Sequence, residues 1–248
     1  MPKIQFTQTH PQIACTAEEL ARLKTAYAGK GPDHDVVAAI VTKAEQALTK
    51  PLTFPPRGGQ HNQWYQCEHC QTALVTVDDT HHKCPICGKI YTGAPYDDVI
   101  FLHQHYANLR NLGTAAWAYA ITGRKEFADF AAKVLLGYAD RYEKYPFHSN
   151  NLTQDKSGGH LFEQTLNEAQ FLATEIGPAW DLVRDSDAFT PQDRQTVRDG
   201  LLLPMLQTIA GHSAGKSNWQ TWHNAAFIWG GAGLDDANWI RRALEDPA

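Results

Sequence analysis

Two stretches of the chain hold residue types that do chemistry. The first is Ser217-Asn218-Trp219-Gln220-Thr221-Trp222-His223-Asn224-Ala225-Ala226. Indole faces suit sugar rings, amides suit hydroxyls and carboxylates, and an imidazole titrates near neutrality. Trp222, Ala226 and Trp229 recur at helical spacing and read first as core. His223 divides evenly between a ligand-facing group and a satisfied core histidine. On a helix Trp219 and His223 share one face, and Gln220 and Asn224 share another. Asn218 lies five residues before His223, about 140° away around an ideal helix. The two therefore converge on one ligand only if Asn218 sits outside regular helix.

The second stretch is Cys67-Glu68-His69-Cys70, followed after thirteen residues by Cys84-Pro85-Ile86-Cys87. Each CxxC turn lets two thiolates reach one ion. Cys67, Cys70, Cys84 and Cys87 thus make a closed tetrahedral site for structural zinc, with no open position for catalysis. Iron or a redox dithiol pair is the lesser alternative. Gly88 permits the tight turn behind the second pair, Leu74 to Val77 reads as a short strand, and Asp78-Asp79 as a turn. His69, His81 and His82 are spare ligands that four thiolates do not need. Zinc ribbons often bind nucleic acid or protein, but this one has few basic residues and reads as a stapled loop. Cys15 is left over as a small apolar side chain.

The elements that must position these groups are helices. Thr16 and Glu19 form a capping box for a helix over 17–28, and a second runs over 33–49. Prolines and glycines from Pro51 to Gly59 break the chain. Helices follow over 97–121, 125–142, 160–185, 191–212 with a bend near Pro204, and 235–245 against Pro247. His103 and Tyr106 sit three apart, with packing favoured over a cleft. Residues 146–159 form a polar loop. Glu163 is expected on a solvated face, whereas Glu168 can turn inward as a buried acceptor. The expected class is mainly α: an incomplete (α/α) toroid of helical hairpins with a small zinc-ribbon-like β insert. Its parts are N-terminal helices over 1–60, the insert over 61–95, and a segment over 96–248 carrying the chemistry.

Formal charge is −5 and pI about 6.2, which argues against nucleic acid as the main partner. No apolar run reaches transmembrane length and no secretory h-region opens the chain. A cytoplasmic location is the default, or a periplasmic or secreted one if a leader was removed. Phosphate-loop, nucleophile-elbow and HExxH patterns do not occur.

His10-Pro11-Gln12-Ile13 with Thr16 to Leu23, Cys84 to Lys89 with Tyr91-Thr92-Gly93, Gln164 to Ala169, and Asn218 to Ala226 together resemble heparinase II/III-like and alginate-lyase-like polysaccharide lyases. The resemblance implies a toroid followed by β-sandwich sheets. It also implies β-elimination at a uronic acid, in alginate or a glycosaminoglycan. On it, Asn218 neutralises the C5 carboxylate and His223 takes the C5 proton. Trp219, Gln220, Trp222 and Asn224 bind the substrate, an anionic polysaccharide or oligosaccharide. The family's tyrosine acid normally follows this helix, and no tyrosine follows Tyr145; Tyr106 or Tyr145 would have to substitute. The chain is therefore expected to be the N-terminal part of a longer lyase, with exposed apolar faces favouring self-association. Competing readings are a non-catalytic glycan-binding domain and a zinc-stabilised interaction module. A hydrolase using Glu163, Glu168 or Asp155 has no supporting spacing.

Overall fold

The structure is a computed structural model that describes residues 4–6, 9–153 and 155–245. Two antiparallel helices begin it, α1 (Ala17–Ala28) and α2 (Pro32–Leu48). Thr16 and Glu19 close the expected reciprocal cap on α1, and Pro32 opens α2 at the first turn. A three-stranded antiparallel sheet follows: β1 (Val75–Asp78), β2 (His81–Lys83) and β3 (Ile90–Tyr91), in that order. The remaining helices are α3 (Tyr96–Thr122), α4 (Lys125–Ala139), α5 (Thr165–Phe171), α6 (Gly177–Val183), α7 (Pro191–Val197), α8 (Leu203–Ala210), α9 (Asn218–Gly233) and α10 (Ala237–Glu245). The mainly α class with a small β insert is as the sequence suggested. Pro247, expected to stop the last helix, lies outside the described residues. Among the described residues no helix is long and apolar enough to cross a membrane.

Contacts fix how the helices run. Tyr106 stacks on Phe171, and Gly113 lies against Glu175, so α3 and the α5–α6 rod advance in the same direction. Gly177 meets Trp229 and Gly233 meets Trp180, so α9 runs parallel to that rod as well. Leu206 meets Gly230 while His212 meets Trp219, which makes α8 antiparallel to α9. Three parallel helices therefore bring their N-termini to one end. The connections entering them there are residues 49–95, 140–164 and 211–217. At the opposite end the return after α3 is tight, at left-handed Gly123. One continuous core built on Phe127, Tyr138, Tyr142, Phe162 and Trp180 fixes this packing. Each such side chain contributes roughly 1.5–3 kcal/mol by leaving water.

Two local departures have a physical cause. The helix expected over 160–185 begins only at Thr165. The Glu168 carboxylate takes the N–H groups of His160, Leu161 and Phe162 at 2.8–3.1 Å, which diverts that backbone from helical pairing. The long helices also contain π turns, at Leu172–Ile176 and Arg198–Leu202. Each ends just before a proline: Gly177 bonds back to Leu172 ahead of Pro178, and Leu203 to Arg198 ahead of Pro204. A proline has no N–H to offer the ladder, and a five-residue step absorbs the fault. The bend expected near Pro204 takes this form, and Pro178 repeats it.

Candidate functional site

At the shared end, the loop around Gly58 and Gly59 lies on α3. A side chain at Gly59 would meet Leu102 at 2.5 Å, so only glycine permits this approach. Gly59 donates to Leu161, and Gln60 to Asp98, lacing the three segments together. Next to this lacing stands Glu163, which is fully buried. Its Oε1 accepts from Asn167 at 2.8 Å, and its Oε2 has no partner among the described residues. Burial pushes its carboxyl up to about 7. Tyr106 borders it; burial, reinforced by the Glu163 charge, raises that phenol to about 12. The solvated face expected for Glu163 is thus corrected. The acid sits in the turn before α5, between Phe162 and Gln164, and faces inward. Glu168 is the buried acceptor that the sequence allowed for, with its carboxyl also pushed up to about 7 by burial.

Across the α5 N-terminus, the Thr165 hydroxyl pairs with His212 Nδ1 at 3.0 Å. The His212 ring stands edge-on to both Trp219 and His223, each at 5.9 Å between centroids. His223 is fully buried, and neither ring nitrogen has a hydrogen-bond partner among the described residues. Burial first, then His212 and Arg242, push its imidazole down to about 4, so it is neutral at pH 7. His212 was not singled out from sequence. Its signal was a histidine between Gly211 and Gly215 in the connection feeding α9.

Asn218 is the first residue of α9, not a residue before it, and its side chain is exposed. Regular helix therefore separates Asn218 from His223 by about 140°, and the structure does not stack them on one face. What Asn218 does share is a helix start without a side-chain cap. The first-turn backbone N–H groups lack a side-chain cap beside the exposed Asn218, the chemistry of an anion-binding helix end. Trp219 is half-buried against His212, and Trp222 packs on the core. Gln220 and Asn224 hydrogen-bond each other at 2.9 Å, while Gln220 also accepts from the Ala214 N–H. Their amides hold the loop into α9 and are engaged within the protein. Tyr145 donates to the Pro55 carbonyl at 2.8 Å from a buried position, so its hydroxyl is tied down. Tyr106 keeps the freer hydroxyl of the two. His103 is exposed and pairs with Asn62 at 2.9 Å.

The insert brings Cys67, Cys70, Cys84 and Cys87 together, with all four sulfurs within 4.8 Å of one another. A tetrahedral ion about 2.3 Å from each thiolate sets the sulfurs ~3.8 Å apart, and Cys67 Sγ stands 3.8 Å from Cys87 Sγ. The Cys70 and Cys87 N–H groups point back at the first sulfur of each pair, at 3.3 and 3.5 Å. The Tyr91 hydroxyl lies 3.1 Å from Cys67 Sγ and draws that thiol down to about 6. The donor set fits a thiolate-bound metal ion. His82 is not a spare ligand. It is buried between the Tyr65 hydroxyl and Asp97 at 2.8 and 3.0 Å, tying the sheet to α3.

No family model matches the chain. It is 29% identical over 93% of its length to a protein named alginate lyase from Stenotrophomonas maltophilia, covering 29% of that protein. Over 110 residues it is 32% identical to an exo-oligoalginate lyase from Saccharophagus degradans, covering 44% of this chain and 14% of that one. The chain thus spans under a third of either relative's length. The crystal structure of an alginate lyase from Bacteroides ovatus shares the fold, with a TM-score of 0.61 and 15% identity over 96% of this chain and 66% of that one. The chain thus resembles alginate lyases in sequence along most of its length and in fold.

Proposed function

We propose that the chain is the toroid portion of a polysaccharide lyase that cleaves uronate-containing glycans by β-elimination, with alginate the first substrate class and glycosaminoglycans the second. The observation that carries the reading is the likeness to an alginate lyase along 93% of the chain. The site supports it chemically. Elimination requires that the C5 carboxylate be neutralised, the C5 proton removed and the O4 leaving group protonated. Asn218 and the uncapped first turn of α9 offer N–H donors for the carboxylate; with about 140° of helix between Asn218 and His223, both serve one uronate only if it wraps across the helix end. His223 is neutral, and its buried ring nitrogens carry no hydrogen bond among the described residues, so a lone pair is uncommitted and reaches a substrate only if the site opens. A substrate carboxylate nearby raises its basicity by favouring the imidazolium. Trp219 gives the sugar a flat edge beside His212. Glu163, with a carboxyl near neutrality, joins these as the acid–base group that the residue pattern alone did not single out.

In the same reading the four thiolates hold zinc. The ion staples residues 61–95 as an insert between the helices of residues 1–60 and 96–248, and has no open position for substrate. The test is the ultraviolet absorbance of an unsaturated uronate during incubation with alginate, polyguluronate, polymannuronate and glycosaminoglycans. Growth of that signal, lost in Asn218→Ala and His223→Ala, is the expected result. A flat trace on every polymer, both from this chain and from a longer chain containing it, sinks the proposal.

A further inference from the structure

A second charged feature lies away from the α9 end. A groove of about 470 Å³ runs between α2, α3 and the π turn, lined by Lys43, Lys50, Arg110, Asn111, Thr114 and Glu175. That volume suits a small polar ligand or one unit of a polymer. Lys43, Lys50 and Arg110 are exposed, and none forms a salt bridge among the described residues. Three cations against one carboxyl in a single concavity, in a chain of net charge −5, form a local field for anions.

The groove also has a built floor. The π turn Leu172–Ile176 throws Glu175 towards α3, where its carboxylate crosses Gly113. A Cβ at Gly113 would meet Glu175 Oε2 at 2.2 Å, so glycine makes room for the acid beneath the cations. Arg110 also covers the ring of Tyr106, with its guanidinium carbon 5.6 Å from the centroid. Tyr106 in turn packs on Phe162, the neighbour of Glu163 in sequence, so the groove leads along one face of α3 towards the candidate site.

We infer that the groove between α2 and α3 is a second binding site for a carboxylated saccharide, in which Lys43, Lys50 and Arg110 hold uronate carboxylates of the chain outside the reacting unit. The inference rests on the lyase reading for the identity of the ligand, and on the groove alone for its charge. Glu175 makes it pH-sensitive. Burial pushes that carboxyl up to about 7, against the pull of Arg110. The groups facing it are Lys43 from α2, Lys50 from the connection just after it and Arg110 from α3, with Asn111 and Thr114 neutral. Below about pH 7 the acid is neutral and all three cations face the ligand. Above it, the carboxylate competes for Arg110, and affinity falls.

The test is direct binding of a labelled oligouronate to the whole chain, by anisotropy, with a neutral oligosaccharide and inorganic phosphate as competitors. Lys43→Gln/Lys50→Gln should weaken binding roughly ten-fold, about what two partly exposed charge pairs sum to. The affinity should fall with added salt. Glu175→Gln should remove the decline above pH 7. Thermal unfolding of each variant verifies that the fold is kept. Unchanged affinity in the double variant, equal competition by the neutral sugar, or displacement by phosphate at concentrations matching the oligouronate overturns the inference. Lysine-dependent binding without unsaturated product on any polymer leaves the groove standing and removes the lyase reading. Product formation with lysine-independent binding does the reverse.

Discussion

The cysteine insert and the α5–α9 end make opposite use of the chain. The insert's donors fall within twenty-one residues, and two identical turns aim them. The α5–α9 end gathers Tyr106, Glu163, Thr165, His212, Asn218 and His223 from four segments, and its character depends on what tertiary packing buries. In the first region spacing is the chemistry. In the second, spacing says only which residues share a helix, and the surroundings decide whether a carboxyl titrates near 4 or near 7.

The strongest test of that contrast is to break the local site. Cys84→Ser, or prolonged chelation, should take bound zinc from about one per chain to none by elemental analysis. Structural zinc supplies on the order of 10 kcal/mol to small ribbons, so residues 61–95 should become a proteolysis target. The helical core around Phe127 and Trp180 shares no side chains with the insert's own small core and should stay folded by circular dichroism. Global unfolding would show that the two regions are one cooperative unit.

His223 sharpens the other side. A well-packed core residue loses 2–5 kcal/mol on truncation. An imidazole with two orphaned nitrogens is instead a burden to the fold. His223→Leu should therefore raise stability by about 1 kcal/mol while lowering lyase turnover by roughly 10²–10⁴-fold. A variant that loses several kcal/mol on denaturant titration would mark His223 as a packing residue.

This explains how much could be read beforehand. The helices, the capping box at Thr16, the glycine stop at Gly123 and the cysteine cluster are properties of neighbours in sequence, and they were legible. The inward turn of Glu163 was not, because it depends on Glu168 holding the preceding backbone out of the helix. His212 gains its role only through Thr165, forty-seven residues away. The amides of Gln220 and Asn224 looked available for sugar hydroxyls, yet an i, i+4 pair on a helix bonds to itself first.

Glu163 makes the environmental argument quantitative. Its folded pKa of about 7 lies above the value of an unfolded glutamate. The folded state then binds more protons, so stability is highest below the unfolded pKa and falls as pH rises towards 7. Glu168 contributes with the same sign. Glu163→Gln mimics the protonated form. It should flatten part of this slope and raise stability at pH 8 by on the order of 2 kcal/mol, read from denaturant midpoints across pH. No change in slope would mean that the acid is hydrated in solution.

The smallest effect returns to the insert, where its two halves differ in one respect. The residue after each CxxC pair is left-handed: Gly88 has φ 75°, and Gln71 has φ 49°. A left-handed non-glycine residue costs roughly 1–2 kcal/mol, partly offset here by the lower unfolded-state entropy of glutamine relative to glycine. Gln71→Gly should be neutral or stabilising by up to about 1 kcal/mol, whereas Gly88→Ala should destabilise by about as much, with both read as the chelator concentration that strips the metal. The substitutions are opposite in sign because the same backbone turn has been solved with and without glycine. If both variants weaken the metal equally, the side chain of Gln71, rather than its backbone, holds the first turn.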